Sequence, residues 1–146
     1  MKTRLLGTEH AEEAARVMRA SFDERLPWLA GLHTPDEARQ FFRDHVFPAH
    51  QVHGVLEDGR LVGFIAFRED WIDQLYVLPE AQGRGIGAAL LQVAQSSWPQ
   101  LSLWTFQRNT AARRFYERHG FVSVEETDGR LNEEREPDVR YHWCRP

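Results

Sequence analysis

The sequence of 146 residues contains a single cysteine, a single lysine and no long apolar segment. Cys144 alone cannot form a disulfide within the chain, and a beginning that carries Glu9, Glu12 and Glu13 does not resemble a signal peptide. No apolar run approaches the roughly 20 residues that span a bilayer. We therefore expect a cytoplasmic protein that has no membrane partner.

A net positive charge is also absent. The formal net charge is -4, whereas domains that bind nucleic acids usually carry a basic face. The composition, 42% hydrophobic and 27% charged, is typical of a folded globular protein. We expect one domain over residues 1–146, large enough to bury a core, with no nucleic-acid partner. The sequence leaves a homodimer open.

Local patterns predict two helices near the beginning of the chain. Thr8 can cap the first, because acidic residues follow it in the first turns. Thr34-Pro35-Asp36-Glu37 combines a capping residue, a proline at the first helical position and the glutamate of a capping box. Pro48 would end this second helix.

The rest of the chain alternates strand and helix patterns. Asp58-Gly59 is a strong hairpin turn signal, a helix is predicted from Gly85 to just before Pro99, and Asn109 can cap a helix that Gly120 ends. Strands are predicted over residues 2–6, 52–57, 60–67, 71–77, 101–106, 121–126 and 139–144. This order favours an α+β domain with a mixed sheet.

A glycine-rich segment, Gln82-Gly83-Arg84-Gly85-Ile86-Gly87-Ala88, follows a predicted strand and opens a predicted helix. The amides at a helix start have no intrahelical partners, and glycines let an anion approach the backbone closely. The segment therefore predicts a phosphate-binding loop, and a tight structural turn is the alternative interpretation.

Two common phosphate-binding motifs do not fit this segment. A P-loop requires Lys and then Ser or Thr after its last glycine, but Ala88-Ala89 follow Gly87. A dinucleotide-binding loop requires G-x-G-x-x-G and an acid about 20 residues further on. Here the glycines are spaced G-x-G-x-G, and the next strand ends at Phe106-Gln107, where the required acid is missing. Both alternatives are disfavoured.

Two motifs resemble the GNAT superfamily of acetyl-CoA-dependent N-acetyltransferases. Leu75-Tyr76-Val77-Leu78-Pro79-Glu80, with the glycine segment after it, looks like the acetyl-CoA signature, and residues 109–121 look like the family's later helix and strand. The resemblance covers residues 52–126 and is weak in the first 50. It implies a GNAT-like domain with a mixed central sheet and helices on both faces. It also implies an enzyme that moves an acetyl group from acetyl-CoA to a primary amine of a small molecule or peptide by direct attack.

The resemblance further implies roles for individual residues. The backbone of the strand at residues 75–77 would pair with the pantetheine arm, and the amides of residues 84–88 would hold the pyrophosphate. Asn109 would contact the arm as well. The predicted cofactor-binding residues are Leu75, Tyr76, Val77, Gln82, Gly83, Arg84, Gly85, Ile86, Gly87, Ala88 and Asn109.

Tyr116 matches a family tyrosine that lies near the thioester sulfur. The leaving sulfur must be protonated or otherwise stabilised, and a phenol with a pKa of about 10 suits a thiol of about 8.5. We therefore predict Tyr116 as the general acid. The alternative interpretation is that Tyr116 packs in the core beside Phe115.

The base and the oxyanion donor are predicted on the strand before the glycine segment. A lysine-like amine costs roughly 4.6 kcal/mol to deprotonate at neutral pH, so a carboxylate acting through water would help. Asp73 is our first candidate, followed by Glu69 and Asp70, and a solvated or structural acid is the alternative. A backbone N–H of residues 75–77 would stabilise the oxyanion, and a β-bulge there would splay the strands and admit the thioester.

Other residues carry weaker predictions. The spacing of His45, His50 and His53 matches no zinc signature, so we predict no metal site. The alternative functions are a transferase with another acyl-CoA or acceptor, and a non-catalytic acyl-CoA sensor. The aromatic residues that either line an acceptor pocket or pack in the core are Trp28, Trp71 and Trp104.

Overall fold

Seven strands form one mixed sheet in the computed structural model, which describes residues 1–146. The strands are β1 (Thr3–Leu5), β2 (Gln51–Glu57), β3 (Arg60–Arg68), β4 (Trp71–Val77), β5 (Gln100–Phe106), β6 (Val122–Thr127) and β7 (Asp138–Cys144). The helices are α1 (Ala11–Arg25), α2 (Pro35–Phe41), α3 (Phe47–Ala49), α4 (Ile86–Ser97) and α5 (Thr110–Arg118). The strand order is β1-β2-β3-β4-β5-β7-β6, and only β4 and β5 are parallel neighbours. The predicted α+β class is confirmed.

Residues 63 and 64 show that helices cover both faces of the sheet. Adjacent residues of a strand point to opposite faces. A Cβ added at Gly63 would lie 3.0 Å from Ile86 Cγ2, so this side of β3 faces α4. The ring of Phe64 packs against Phe42, at 5.6 Å between centroids, so the other side faces the helices before β2.

The hairpin between β2 and β3 turns at Asp58 and Gly59, as predicted. Both residues have positive φ, 53° and 77°, as in the type I′ turn, whose twist matches that of the two antiparallel strands. The capping box of α2 is also confirmed, because the Thr34 side chain accepts from the Glu37 amide and the Glu37 carboxylate accepts from the Thr34 amide.

Two helix boundaries differ from the prediction. Thr8 does not cap α1 but lies inside a single 3-10 turn, Thr8–His10, that leads into Ala11. Pro48 does not end the second helix either. The helical run continues from α2 through a π-helical turn, Phe42–Val46, into α3 and ends at Ala49, one residue after Pro48.

No helix of the structure has the length and apolar character that crossing a membrane requires.

Candidate functional site

A cleft opens where β4 and β5 separate. The two strands are paired only at Trp71 with Ser102 and at Ile72 with Leu103. Beyond these pairs the strands diverge, so the β5-facing edge of residues 73–77 has no partner strand. The cleft has a volume of about 620 Å³ and continues to the starts of α4 and α5. An unpaired strand edge offers backbone hydrogen bonds to an extended ligand.

A β-bulge on β4 accompanies this separation. Phe67 of β3 pairs with Ile72 and Ala66 pairs with Gln74, so Asp73 is an extra residue without a partner on β3. A bulge bends its strand and increases the local twist, which turns the rest of β4 away from its neighbour. The bulge that the sequence could not reveal therefore lies at the mouth of the cleft.

The glycine segment forms the turn into α4. Gly83 and Gly85 have φ of 79° and 83°, a conformation that side chains rarely adopt. The first backbone hydrogen bond of the helix joins the Ala89 amide to the Gly85 carbonyl, and no side chain caps the amides before it. These amides and the positive end of the helix dipole lie at the cleft, as an anion requires.

The side chains of Gln82 and Arg84 take different directions. Gln82 donates from Nε2 to the Val77 carbonyl at 3.0 Å and accepts from Arg25, which joins α1 to the loop. Arg84 donates to Glu57 at 2.8 Å, on the outside of the cleft. Arg84 can therefore offer its backbone amide to a ligand in the cleft, as we predict. Its side chain points away from the cleft and cannot contact that ligand in this position.

The start of α5 forms the far wall of the cleft. Asn109 caps this helix as predicted, because its Oδ1 accepts from the Ala112 amide at 3.2 Å. Its side-chain amide group remains available to the cleft that it lines. Arg25, Arg114 and Arg118 also line the cleft. We did not predict them, although Arg114 and Arg118 are spaced by four residues and so share one side of a helix.

Tyr116 is compatible with both interpretations that the sequence leaves open, because it packs in the core and also reaches the cleft. It packs against Phe115 and Phe121, with centroids 5.2 and 5.5 Å away, and only 8% of the residue is exposed. It also lines the cleft. Burial, and secondarily the nearby Tyr76, raise the pKa of Tyr116 above its ordinary value. The phenol therefore keeps its proton across the physiological pH range and can donate a hydrogen bond into the cleft.

Asp73 is the one candidate base that lines the cleft. Its Oδ2 lies 2.6 Å from Nε2 of His50, whose other ring nitrogen lies 2.8 Å from the Val46 carbonyl. Glu69 lies in the turn between β3 and β4 with a φ of 51°, and Asp70 accepts through its backbone carbonyl from Ser102. Neither of them lines the cleft, so position alone separates Asp73 from its alternatives.

Residues 48–123 match the family described as the acetyltransferase (GNAT) domain. The chain belongs to this family. It is 41% identical to the peptidyl-lysine N-acetyltransferase YiaC of Escherichia coli strain K12 over 70 residues, which are 47% of this chain and 48% of that protein. It is 27% identical to the peptidyl-lysine N-acetyltransferase YjaB of Salmonella typhimurium, over 77% of each chain. The chain spans about half the length of the first two curated relatives that it matches, 48% and 51%.

Solved structures confirm the GNAT fold over the whole chain. The apo form of YjaB from Escherichia coli superposes with a TM-score of 0.82 at 23% identity, covering 99% of this chain and 98% of that one. The PaiA N-acetyltransferase of Thermoplasma acidophilum, solved in complex with coenzyme A, superposes with a TM-score of 0.72 at 20% identity, covering 99% of each chain.

A second cavity adjoins the cleft on the α1 face of this GNAT sheet. It has a volume of about 680 Å³ and shares Phe22, Gln74 and Tyr76 with the cleft. Its lining contains five carboxylates and one arginine, Arg19, which donates to the His33 carbonyl. Three of the carboxylates have partners: Asp44 contacts Arg43, Glu133 contacts His33 and Glu37 accepts from the Thr34 amide. The carboxylates belong to Asp23, Glu37, Asp44, Glu133 and Glu134. Burial, and secondarily Glu134, raise the pKa of Tyr76 to about 12.

The loop of residues 127–137 is held against the start of the chain by Glu136. This carboxylate is buried, accepts from Trp28 Nε1 at 2.9 Å and forms two hydrogen bonds with Arg108, at 2.7 and 2.8 Å. The Arg108 guanidinium also lies 4.2 Å from the centre of the Trp28 ring. Arg108 holds the pKa of the Glu136 carboxyl below its ordinary value. Three distant segments therefore meet at one buried charge.

The tryptophans and histidines that carry weaker predictions occupy different places. Trp104 lines the cleft, whereas Trp28 is held by Glu136 and Trp71 begins β4 without lining either cavity. His45 lines the second cavity, His50 contacts Asp73, and His53 stacks on Phe67.

Proposed function

We propose that this protein is an N-acetyltransferase that moves the acetyl group of acetyl-CoA to a primary amine by direct attack. The observation that carries the proposal is the cleft between β4 and β5, because it joins a free strand edge to uncapped amides at the start of α4. The named relatives support the same activity, since YiaC and YjaB are both peptidyl-lysine N-acetyltransferases. We further propose that residues 1–146 act as one domain, which their single buried core supports.

The cleft suits the chemical parts of acetyl-CoA. Alternating amides and carbonyls of Leu75, Tyr76 and Val77 can pair with the amide groups of the pantetheine arm, as a partner strand would. The amides of residues 84–88 can bind the pyrophosphate, and Asn109 can contact the arm from the opposite wall. Arg25, Arg114 and Arg118 add positive charge for the phosphates.

Three groups of the chain would act on the reacting atoms. Asp73 would take a proton from the acceptor amine, so that a neutral nitrogen attacks the thioester carbon. A backbone N–H of β4 would donate to the thioester oxygen as negative charge develops there. Tyr116, whose raised pKa leaves the phenol protonated at neutral pH, would donate that proton to the leaving sulfur.

The second cavity supports a cationic acceptor. It adjoins the cleft at Gln74 and Tyr76, and an ammonium group would be attracted to its carboxylates, above all to Asp23 and Glu134, which make no ion pair, before it reaches the thioester. Lysine side chains of peptides and small diamines have this charge. A neutral or acidic amine would lack the attraction.

Acetyl transfer to a panel of amines tests the proposal. The protein is incubated with acetyl-CoA and lysine peptides, diamines, amino sugars or acidic amino acids, while free thiol is measured. We expect thiol release that depends on the acceptor and is fastest with the cationic amines. Coenzyme A binding without thiol release from any acceptor would instead support a sensor, and faster release with propionyl-CoA would support another acyl donor.

A paired substitution tests the acceptor side. Glu134→Gln should raise KM for a cationic acceptor severalfold and leave KM for acetyl-CoA unchanged, because Glu134 lines the second cavity and not the cleft. The matched control is Glu125→Gln, which changes an exposed carboxylate paired with Arg140 on the far edge of the sheet. Equal KM values for the two variants would contradict the acidic acceptor site.

A further inference from the structure

His50 makes two hydrogen bonds that together determine its protons. Nδ1 lies 2.8 Å from the carbonyl oxygen of Val46, which can only accept, so Nδ1 must carry a hydrogen. Nε2 lies 2.6 Å from Oδ2 of Asp73. A hydrogen bond this short needs one proton between the nitrogen and the oxygen, because two lone pairs at this distance would repel. The arrangement therefore holds a proton that belongs to both residues.

The fold brings the two residues together through three strands. His50 immediately precedes Gln51, which pairs with Phe67 of β3, and Phe67 pairs with Ile72 next to the bulged Asp73. The Val46 carbonyl that orients the ring closes the π-helical turn before α3. The ring is thus held from the helix side, and its other nitrogen is aimed at the bulge.

Exposure differs between the two ends of this contact. The His50 side chain is 11% exposed, whereas the Asp73 side chain is 40% exposed and lines the cleft. The shared proton lies at the buried end, and the second carboxylate oxygen is left for contact with solvent or a substrate.

We propose that His50 and Asp73 form one proton-accepting unit for the acceptor amine, with His50 as the positioning residue. The inference rests on the proposed acetyl transfer. It assigns to His50 a role that its sequence spacing did not indicate. Asp73 touches the substrate or its bound water, and His50 acts through Asp73.

The protons balance over one turnover. The acceptor ammonium gives a proton to Oδ1 of Asp73, the carboxylate oxygen that His50 does not contact, while the proton between Oδ2 and Nε2 of His50 stays in place. The neutral nitrogen forms the new C–N bond with the thioester carbon, and the C–S bond breaks. Tyr116 donates its proton to the sulfur and recovers one from the nitrogen, and the unit releases its proton to solvent through Asp73. Ammonium and thioester thus yield amide, thiol and one proton.

Substitutions of His50 separate proton sharing from packing. His50→Phe keeps a ring but removes the contact, and His50→Gln keeps a donor for Asp73 but cannot share a proton. We expect both variants to lower kcat with a lysine peptide by about 10- to 100-fold, with KM for acetyl-CoA unchanged. The matched control is His53→Gln, since His53 stacks on Phe67 away from both cavities. Wild-type kcat for His50→Gln would overturn the proposal.

A double substitution and a weakly basic acceptor sharpen the test. His50→Phe in an Asp73→Asn background should cost no further activity, because Asp73→Asn has already removed the His50–Asp73 unit. Losses that multiply would overturn the inference. An aromatic amine, which is neutral at the assay pH, should be acetylated by wild type and His50→Phe at nearly equal rates. An equal loss with both kinds of amine would also overturn it.

Nitrogen NMR of the imidazole tests the contact without turnover. With His50→Gln to assign the signals, Asp73→Asn should shift the Nε2 resonance of His50 and leave Nδ1 protonated. An unchanged Nε2 resonance would overturn the inference. Wild-type protein that shows this contact but transfers no acetyl group would contradict the proposed function alone.

Discussion

The cleft between β4 and β5 and the second, acidic cavity adjoin each other, but they are assembled from the chain in different ways. The cleft is built mainly between β4 and α5, by segments that follow one another within residues 72–119, and the end of α1 and the residue after it add Ser21, Phe22, Arg25 and Leu26. The acidic cavity combines α1, α2 and the loop before β7, so that Met18 and Glu134 line the same space. On the proposed function, binding the cofactor would use a largely local motif, whereas selecting an amine would use contacts between distant segments.

The largest expected effect concerns the cleft. Tyr116→Phe should lower kcat by about 100-fold, because the sulfur loses its donor, while the affinity for coenzyme A changes little. Steady-state kinetics and calorimetry measure the two quantities. Tyr141→Phe is the matched control, because Tyr141 is fully buried, donates to Glu117 and does not line the cleft. That variant should lose stability rather than kcat. Equal kcat values for the two variants would remove the catalytic role of Tyr116.

The second prediction compares a glycine of the glycine segment, Gly83, with a glycine of an ordinary hairpin turn, Gly59. Gly83 and Gly59 both have positive φ, 79° and 77°, and a Cβ at either position would meet no atom within 4 Å. Alanine at either position should therefore cost about 1 kcal/mol of unfolding free energy. Gly83→Ala should also weaken coenzyme A binding by about tenfold, because its strain moves amides at the start of α4, and Gly59→Ala should not. Equal affinities in calorimetry would exclude the loop from phosphate binding.

A smaller effect concerns the acceptor side. Glu136→Gln should raise KM for the acceptor a fewfold and leave KM for acetyl-CoA unchanged, because it loosens the loop of residues 127–137. The lowered pKa of Glu136 stabilises the folded state at neutral pH, and this contribution is lost as the pH falls through the acidic range where the carboxylate takes up a proton. Urea unfolding at neutral and acidic pH should therefore show a smaller difference in Glu136→Gln than in wild type. An unchanged difference would contradict the role of this buried charge.

The smallest effect tests whether the glycine segment binds through its backbone alone. Arg84→Ala should change coenzyme A affinity by less than about twofold, because the side chain contacts Glu57 at an exposed position. Arg114→Ala is the comparison, since Arg114 lines the cleft. Calorimetry of both variants with coenzyme A measures the difference. A larger loss for Arg84→Ala than for Arg114→Ala would contradict the observed directions of the two side chains.

Local sequence signals predicted most of the elements that build the cleft. The strand at 71–77 was predicted at the residues where it lies, and the glycine turn, the Asn109 cap and the Gly120 terminator were also found. Each of these features depends on neighbouring residues, on a left-handed φ or on a capping hydrogen bond. Thr8 lies within a 3-10 turn, and the π-helical turn before Pro48 carries the helical run to Ala49, so neither boundary lies where the local pattern predicts it.

Three of the residues missed at the site, Glu136, His50 and Arg25, depend on distant partners. Glu136 meets Trp28 across 108 positions of the chain, and His50 meets Asp73 across 23. Nothing local marks Arg25 as a residue of the cleft, because only the packing of α1 across the sheet brings it to Gln82.

The sequence by itself determined the α+β class, the family and the glycine turn before α4, because these depend on short-range periodicity, glycine conformations and helix ends. The tertiary structure alone decided the bulge at Asp73, its contact with His50 and the acidic lining of the second cavity. A bulge is a mismatch between two strands, and a hydrogen bond or a cavity wall between distant residues exists only after the sheet has assembled.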